Sequence, residues 1–457
     1  MTSYFAADAL LAIGWARDVR IDVDEHGNFG AVVAGADDAG AERLAGPALP
    51  GMANLHSHAF QRAMAGLTDV RGAPEDDFWS WRELMYRFAL GLTPDQALAI
   101  ARHLYIEMLC HGYTAVGEFH YLHNDAQGAP YAPPQTLLAA HLAAAREAGI
   151  AATLLPSLYA WGNFGGAPLA LRQRRFAADP RGVLDIVAAM RREIGADPDF
   201  TVGAAPHSLR AVDPAALREL VEGMRAIDPV APIHIHAAEQ TKEVDDCLAV
   251  LGERPVAWLL ANLPVDSRWC IVHATHMTDG EIAALARSGA VAGLCPSTEA
   301  NLGDGLFPLL AYRAAGGHYG VGGDSHVSRN PAEELRLLEY LQRISVRRRN
   351  LVVGETSSAV GTTLWLEAAA GGGRALARDM GRIAAGSRAD LVVLDDTHAD
   401  LAARTGDGIA NAMVFACGEN PVRDVMVGGS WVVQGGRHRL QETAAVRYRR
   451  ALRELLA

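Results

Sequence analysis

Cysteine is scarce and dispersed in this sequence. Cys110, Cys247, Cys270, Cys295 and Cys417 form no C-x-x-C pair, so neither a disulfide framework nor a cysteine-built zinc ribbon is written in the chain. That pattern suits reduced thiols in a cytoplasmic protein. Runs of positive charge are also short. The longest is Arg347-Arg348-Arg349, and the formal net charge is −12, which argues against nucleic acid as a partner. An acidic total does not bar an anionic substrate, because a few local arginines can override it. The apolar stretch Leu10–Ile13 is too short to span a bilayer, and Met1-Thr2-Ser3-Tyr4 lacks a basic leader, so no membrane association is expected. There is no internal repeat and no low-complexity linker. Core material, by contrast, is abundant. Half of the 457 residues are hydrophobic, enough for one barrel enzyme with a small accessory domain.

Residues 1–50 read as short strands and turns. Val19-Arg20-Ile21-Asp22-Val23 alternates, and His26-Gly27-Asn28 supplies turn chemistry. From residue 51 to about 379 an apolar strand, a polar tip and a helical segment recur. Strands are expected at Asn54–His58, Thr114–His120, Ala151–Tyr159, Phe200–Ala205, Pro232–His236, Trp269–His273, Ala290–Leu294 and Tyr319–Asp324. Eight strands alternating with helices predict a (β/α)₈ barrel, with a doubly wound open sheet as the alternative. Residues 380–457 turn strand-rich again before a charged helix at Thr443–Leu456. A β-rich head and a β-rich tail are expected to form one small β-sandwich domain.

Polar residues gather where these strands end, and barrel enzymes place their chemistry on that rim. His56 and His58 stand at i and i+2, so a strand aims both imidazoles to one side. With 17 histidines in the chain, such a pair is weak evidence alone. His236, His273 and Asp324 end three further strands. Two histidines from the first strand, one from the fifth and an aspartate from the eighth make a mixed nitrogen and oxygen set. It suits one divalent metal, Zn²⁺ first, with Fe²⁺ or Mn²⁺ as alternatives. His234 rivals His236 from the same face, and His276 reads as a surface residue. Asp324 could instead cap a helix. Glu239, three residues past His236, could move protons or simply favour a helix N-terminus.

At these residues the chain resembles the amidohydrolase superfamily. The carrying segments are residues 49–58 (Leu-Pro-Gly-Met-Ala-Asn-Leu-His-Ser-His), 234–239 (His-Ile-His-Ala-Ala-Glu), 272–276 (Val-His-Ala-Thr-His), 322–326 (Gly-Gly-Asp-Ser-His) and 385–395. The resemblance implies a mononuclear centre held by His56, His58, His236 and Asp324. Glu239 would be the proton shuttle, and His273 would position the attacking water or stabilise the tetrahedral intermediate. No bridging lysine stands at the fourth strand, where His207 is found, which disfavours binuclear subtypes. More narrowly, the chain is similar to the formimidoylglutamate deiminases of histidine degradation. That likeness is carried by residues 58–62 (His-Ala-Phe-Gln-Arg), 78–86 (Phe-Trp-Ser-Trp-Arg-Glu-Leu-Met-Tyr), 117–123 (Gly-Glu-Phe-His-Tyr-Leu-His) and 205–210 (Ala-Pro-His-Ser-Leu-Arg).

The implied substrate is a small molecule with two carboxylates. Arg82 and Arg210 agree with it, since guanidinium forks match carboxylates bidentately. Gln61, Tyr121 and His207 offer further hydrogen bonds. Arg82 could instead pair with Glu83 or Asp77 at the surface. Two other functions stay open: a deaminase or chlorohydrolase acting on a neutral heterocycle, and an inactive barrel serving as a binding module. A homodimer is the expected assembly.

Overall fold

The computed structural model describes residues 1–71, 77–355 and 357–457. The chain opens with β1 (Thr2–Leu11) and β2 (Gly14–Val23), an antiparallel hairpin of ten-residue strands. The expected short strands are long ones, because their pairing runs from Thr2↔Val23 to the tight turn at Gly14, whose φ is +124°. β3 (Phe29–Val33), β4 (Glu42–Arg43) and β5 (Ala48–Pro50) follow.

Eight parallel positions then form the barrel. They are β6 (Met52–Ser57), β7 (Tyr113–His120), β8 (Ala151–Leu158), a fourth position shared by β9 (Phe200–Val202) and β10 (Ala205–Pro206), β11 (Ile233–Ala237), β12 (Trp269–His273), β13 (Val291–Leu294) and β14 (His318–Val321). The expected fourth strand is split at Gly203 and Ala204, where Gly203 sits against the Pro232 carbonyl and a side chain would collide. Two parallel sheets, β6 to β10 and β11 to β14, are closed into a cylinder by single bridges. Ala204↔Ile233 and Ser208↔His236 join one seam, and Ser57↔Asp324 joins the other. That last bridge brings the first and eighth strand tips together. It is made by Asp324 N–H donating to His56 O at 2.9 Å and His58 N–H donating to Asp324 O at 3.0 Å.

The tail adds β15 (Leu391–Leu394), β16 (Val422–Val427), β17 (Ser430–Gln434) and β18 (Arg437–His438). β15 pairs antiparallel with β5, so the two ends of the chain share one nine-stranded sheet. Alternation in β15 shows what each face does. Leu391 and Val393 enter a small core with Tyr4, Ile21 and Phe29. Val392 and Leu394 join the large core that continues into the barrel. The barrel with a terminal β domain is thus the observed architecture.

The helix Val360–Ala375 fastens the cylinder, with Trp365 Nε1 donating to Pro50 O at 3.0 Å. It lies so close to β14 that a Cβ on Gly371 would overlap the Tyr319 carbonyl. Gly371→Ala is therefore expected to cost about 1–3 kcal/mol of stability, measured by denaturant unfolding.

Candidate active site

The first, fifth and eighth strands deliver four side chains to one buried point. His56 lies in β6, His58 one residue beyond it, His236 in β11 and Asp324 three residues past β14. His236 Nε2 is 3.1 Å from His56 Nε2 and 3.4 Å from His58 Nε2. Asp324 Oδ1 is 3.4 Å from His56 Nε2 and 3.5 Å from His58 Nε2. Asp324 caps no helix; the next one starts at Pro331 under Asn330.

The tautomers decide what this knot can hold. His58 Nδ1 donates to Phe119 O at 2.8 Å and His236 Nδ1 donates to His207 O at 2.9 Å. A carbonyl only accepts, so both Nδ1 atoms carry the proton. Burial pushes the pKa of His58 down and that of His236 well down, which leaves their Nε2 atoms as bare lone pairs. Burial likewise lowers His56 to about 3, so it brings at most one proton to the group. His58 Nε2 then faces only acceptors. Burial works against the Asp324 carboxylate, but the His56 hydrogen bond and the surrounding imidazoles outweigh it and the group stays ionised. Three neutral imidazoles and a carboxylate with too few protons between them repel one another, and a divalent cation relieves that repulsion. The donor set fits such an ion.

Proton-carrying groups stand beside it. Burial raises Glu239 to about 7. His273 Nε2 lies 3.7 Å from Glu239 Oε1 and 3.9 Å from Asp324 Oδ2, and its Nδ1 faces Glu299 Oε1 at 3.3 Å. Burial opposes its charge, but Glu239, Glu299 and Asp324 together raise His273 to about 10, so it stands as a cation. Glu239 precedes its helix, Thr241–Leu251, and its N–H is held by Glu243 Oε2 at 3.1 Å. Ala238, His273, Ala274 and Asp324 all adopt positive φ of 48–66°. Non-glycine residues there mark strain held in place at the rim.

Gln61, Arg82, Tyr121, His207 and Arg210 line one narrow cavity with these groups, under the helix Phe78–Gly91. Gln61 Nε2 donates to Tyr121 OH at 2.8 Å, and its Oε1 has no partner among the described residues. Arg210, 4% exposed, has an Nη1 with no partner among the described residues. Arg82 donates to Tyr159 OH at 3.2 Å, and its ion pair with Glu83 or Asp77 is not made. Glu83 pairs with Arg172, and Asp77 caps the helix. His234 turns away from the site, its Nε2 meeting Ala375 O at 2.8 Å. His276 is half-buried rather than at the surface, because the Asp304 carbonyl meets its Nε2 at 2.7 Å.

Three residues carry more than their sequence positions suggested. Trp79 puts its ring face under both Arg82 and Arg210, at 5.4 and 5.7 Å. Tyr159 answers Arg82, and Glu299 fixes His273. Tyr159 follows β8, so the strand-tip rule alone could have flagged it. The other two are set by contacts remote in sequence.

The amidohydrolase family profile matches residues 48–432, and that of the formimidoylglutamate deiminase HutF N-terminal domain matches residues 1–46. The chain belongs to the amidohydrolase family. A formimidoylglutamate deiminase from Pseudomonas aeruginosa is 51% identical, with 100% of each chain covered. The crystal structure of an amidohydrolase from Brucella melitensis superposes with a TM-score of 0.93 at 45% identity, covering 100% of both chains. An adenosine deaminase from Xanthomonas campestris with bound zinc shares the fold, with a TM-score of 0.83 at 21% identity over 100% of this chain and 98% of its own. Both resemblances read from the sequence motifs, to the superfamily and to its formimidoylglutamate deiminases, are thereby met. For this amidohydrolase, elemental analysis of freshly purified protein is expected to find one divalent cation per chain, and His236→Ala is expected to lose it.

Proposed function

We propose that this amidohydrolase hydrolyses N-formimidoyl-L-glutamate to N-formyl-L-glutamate and ammonia in histidine degradation. The observation that carries this is the joining, in one narrow cavity, of the imidazole and carboxylate knot with two guanidinium groups, Arg210 buried and Arg82 half-buried. The full-length likeness to a formimidoylglutamate deiminase supports the same substrate. His56, His58, His236 and Asp324 would hold the cation, for which zinc suits the donors best and Fe²⁺ or Mn²⁺ are the alternatives. When bound, it supplies a water activated for attack near neutral pH.

The protein's own groups do the rest. Arg82 and Arg210 take the two substrate carboxylates in bidentate pairs, while Gln61, Tyr121 and His207 hydrogen-bond the chain between. This sets the formimino carbon against the rim. Asp324 turns Oδ1 to the imidazoles and Oδ2 toward His273, so Oδ2 is the atom free to take a proton from the attacking water. Glu239, close to half-protonated near neutrality, accepts a proton and returns it to the departing nitrogen. Cationic His273 offsets the negative charge that builds on the attacking water's oxygen as its protons leave. Water adds across the C=N bond, and its two protons pass by way of Asp324 and Glu239 to the former imine nitrogen. The formyl C=O forms as the remaining bond to that nitrogen breaks, and it leaves as ammonia.

Two guanidinium groups in the cavity disfavour a neutral heterocycle, and a complete donor set disfavours an inactive binding module. The five cysteines are all free and buried, which suits the cytoplasm. No described helix is long and apolar enough to cross a membrane. A homodimer is the proposed assembly.

Ammonia release from formimidoylglutamate, but not from guanine, cytosine or adenosine, is expected, and a chelator should abolish it. Release from a heterocycle instead would move the assignment. Glu239→Gln should cut turnover by roughly 100- to 10,000-fold, the span for a lost acid–base group, while the cation stays bound. Arg210→Ala should raise KM for the acidic substrate strongly and leave cation content unchanged, since it removes about 1.5–3 kcal/mol of charged hydrogen bonding.

A further inference from the structure

Behind the knot, away from the cavity, lies a buried carboxylate that the chemistry above does not use. Glu118, in β7, is 1% exposed. Its Oε2 accepts from Ser57 Oγ at 2.6 Å and from Tyr105 OH at 2.9 Å, and its Oε1 accepts the Ala59 N–H at 2.9 Å. His141 Nε2 stands 3.6 Å from Oε1. Ser57 and Ala59 are the two neighbours of His58, so one carboxylate grips the chain on both sides of that histidine.

The same serine reaches the opposite strand tip. Ser57 Oγ lies 2.9 Å from His326 Nε2. The Ser57 hydroxyl has one hydrogen and donates it to Glu118 Oε2, so His326 Nε2–H must complete the second bond. His326 is two residues past Asp324. Both hold left-handed backbone, with φ of +48° and +59°, and such strain persists only where the surroundings enforce it. Here His326 N–H donates to Gly323 O at 2.7 Å, and His326 O accepts Arg62 Nη1 at 2.7 Å.

A buried carboxyl group is a poor choice for stability alone, since burying a polar group costs free energy that an apolar residue avoids. Yet two of the three groups that donate to Glu118 belong to the strand tip bearing His56 and His58, and its chain of bonds ends on the turn bearing Asp324. We propose that Glu118 is a positioning residue that fixes the two tips relative to each other, through Ala59 and Ser57 on one side and His326 on the other. The cation donors thereby meet at one point. This rests on the assignment of those four donors made above.

The test compares zinc-loaded wild type, Glu118→Gln and Ser57→Ala. Glutamine keeps the shape, but its NH₂ cannot accept, so one arm loses its acceptor. Ser57→Ala cuts only the arm to His326. In Glu118→Gln, zinc loss to EDTA should quicken and kcat should fall, each by roughly 10- to 100-fold, with KM for formimidoylglutamate little changed. Ser57→Ala should move both in the same direction by less. Variants that lose thermal stability but keep wild-type zinc retention and kcat would reduce Glu118 to a core filler and overturn the proposal. A rise in KM with kcat unchanged would overturn it too. If Glu118→Gln does not fold, Ser57→Ala decides alone, and unchanged zinc retention there overturns the proposal. The wild-type control separates the two claims: a wild-type chain that takes up no zinc overturns the metal centre and this proposal together.

Discussion

Three neutral imidazoles held nitrogen to nitrogen are the constraint from which the rest of this structure follows. Left alone they repel, and their own chemistry would not bring them together. The backbone does so by fixing the far nitrogen of two rings, His58 on Phe119 O and His236 on His207 O. Each bond selects a tautomer and spends the only proton, so the near nitrogens have nothing to donate. The repulsion is held by the whole cylinder, whose closing bridge between Ser57 and Asp324 sits beside the knot.

Charge around that point is separated by side. Carboxyl groups cluster on the side of β11 to β14, where Glu239, Glu299 and Asp324 surround His273. Cations gather on the side of the helix Phe78–Gly91 and the fourth strand, where Arg82 and Arg210 share the Trp79 face. A dicarboxylate with a basic nitrogen at its other end matches this polarity. Burial sharpens both halves, since hydrogen bonds and ion pairs strengthen once water is excluded.

The strand tips were legible because period-two spacing is written locally and a divalent cation would need several such donors. His56, His58 and His236 follow from that logic, and Asp324 from its place on the eighth strand. The terminal sheet was legible as strand content at both ends, but the length of β1 and β2 was underestimated. Across-the-fold contacts were less accessible. Arg82 sits on a helix whose pattern fits a surface ion pair equally well, and only the remote Tyr159 hydroxyl decides. Trp79, Glu299 and Glu118 act through residues from 26 to 131 positions away, a separation at which spacing carries no signal. His276 misled for the same reason: the carbonyl that buries it belongs to Asp304.

X-ray absorption at the metal edge of the native protein tests the central claim most directly. The account requires a light-atom shell of imidazole nitrogen and carboxylate oxygen at about 2.0–2.2 Å and no sulfur. His273, Cys295 and Glu299 also lie close enough to bind an ion. A sulfur scatterer near 2.3 Å would place the ion there and contradict the account.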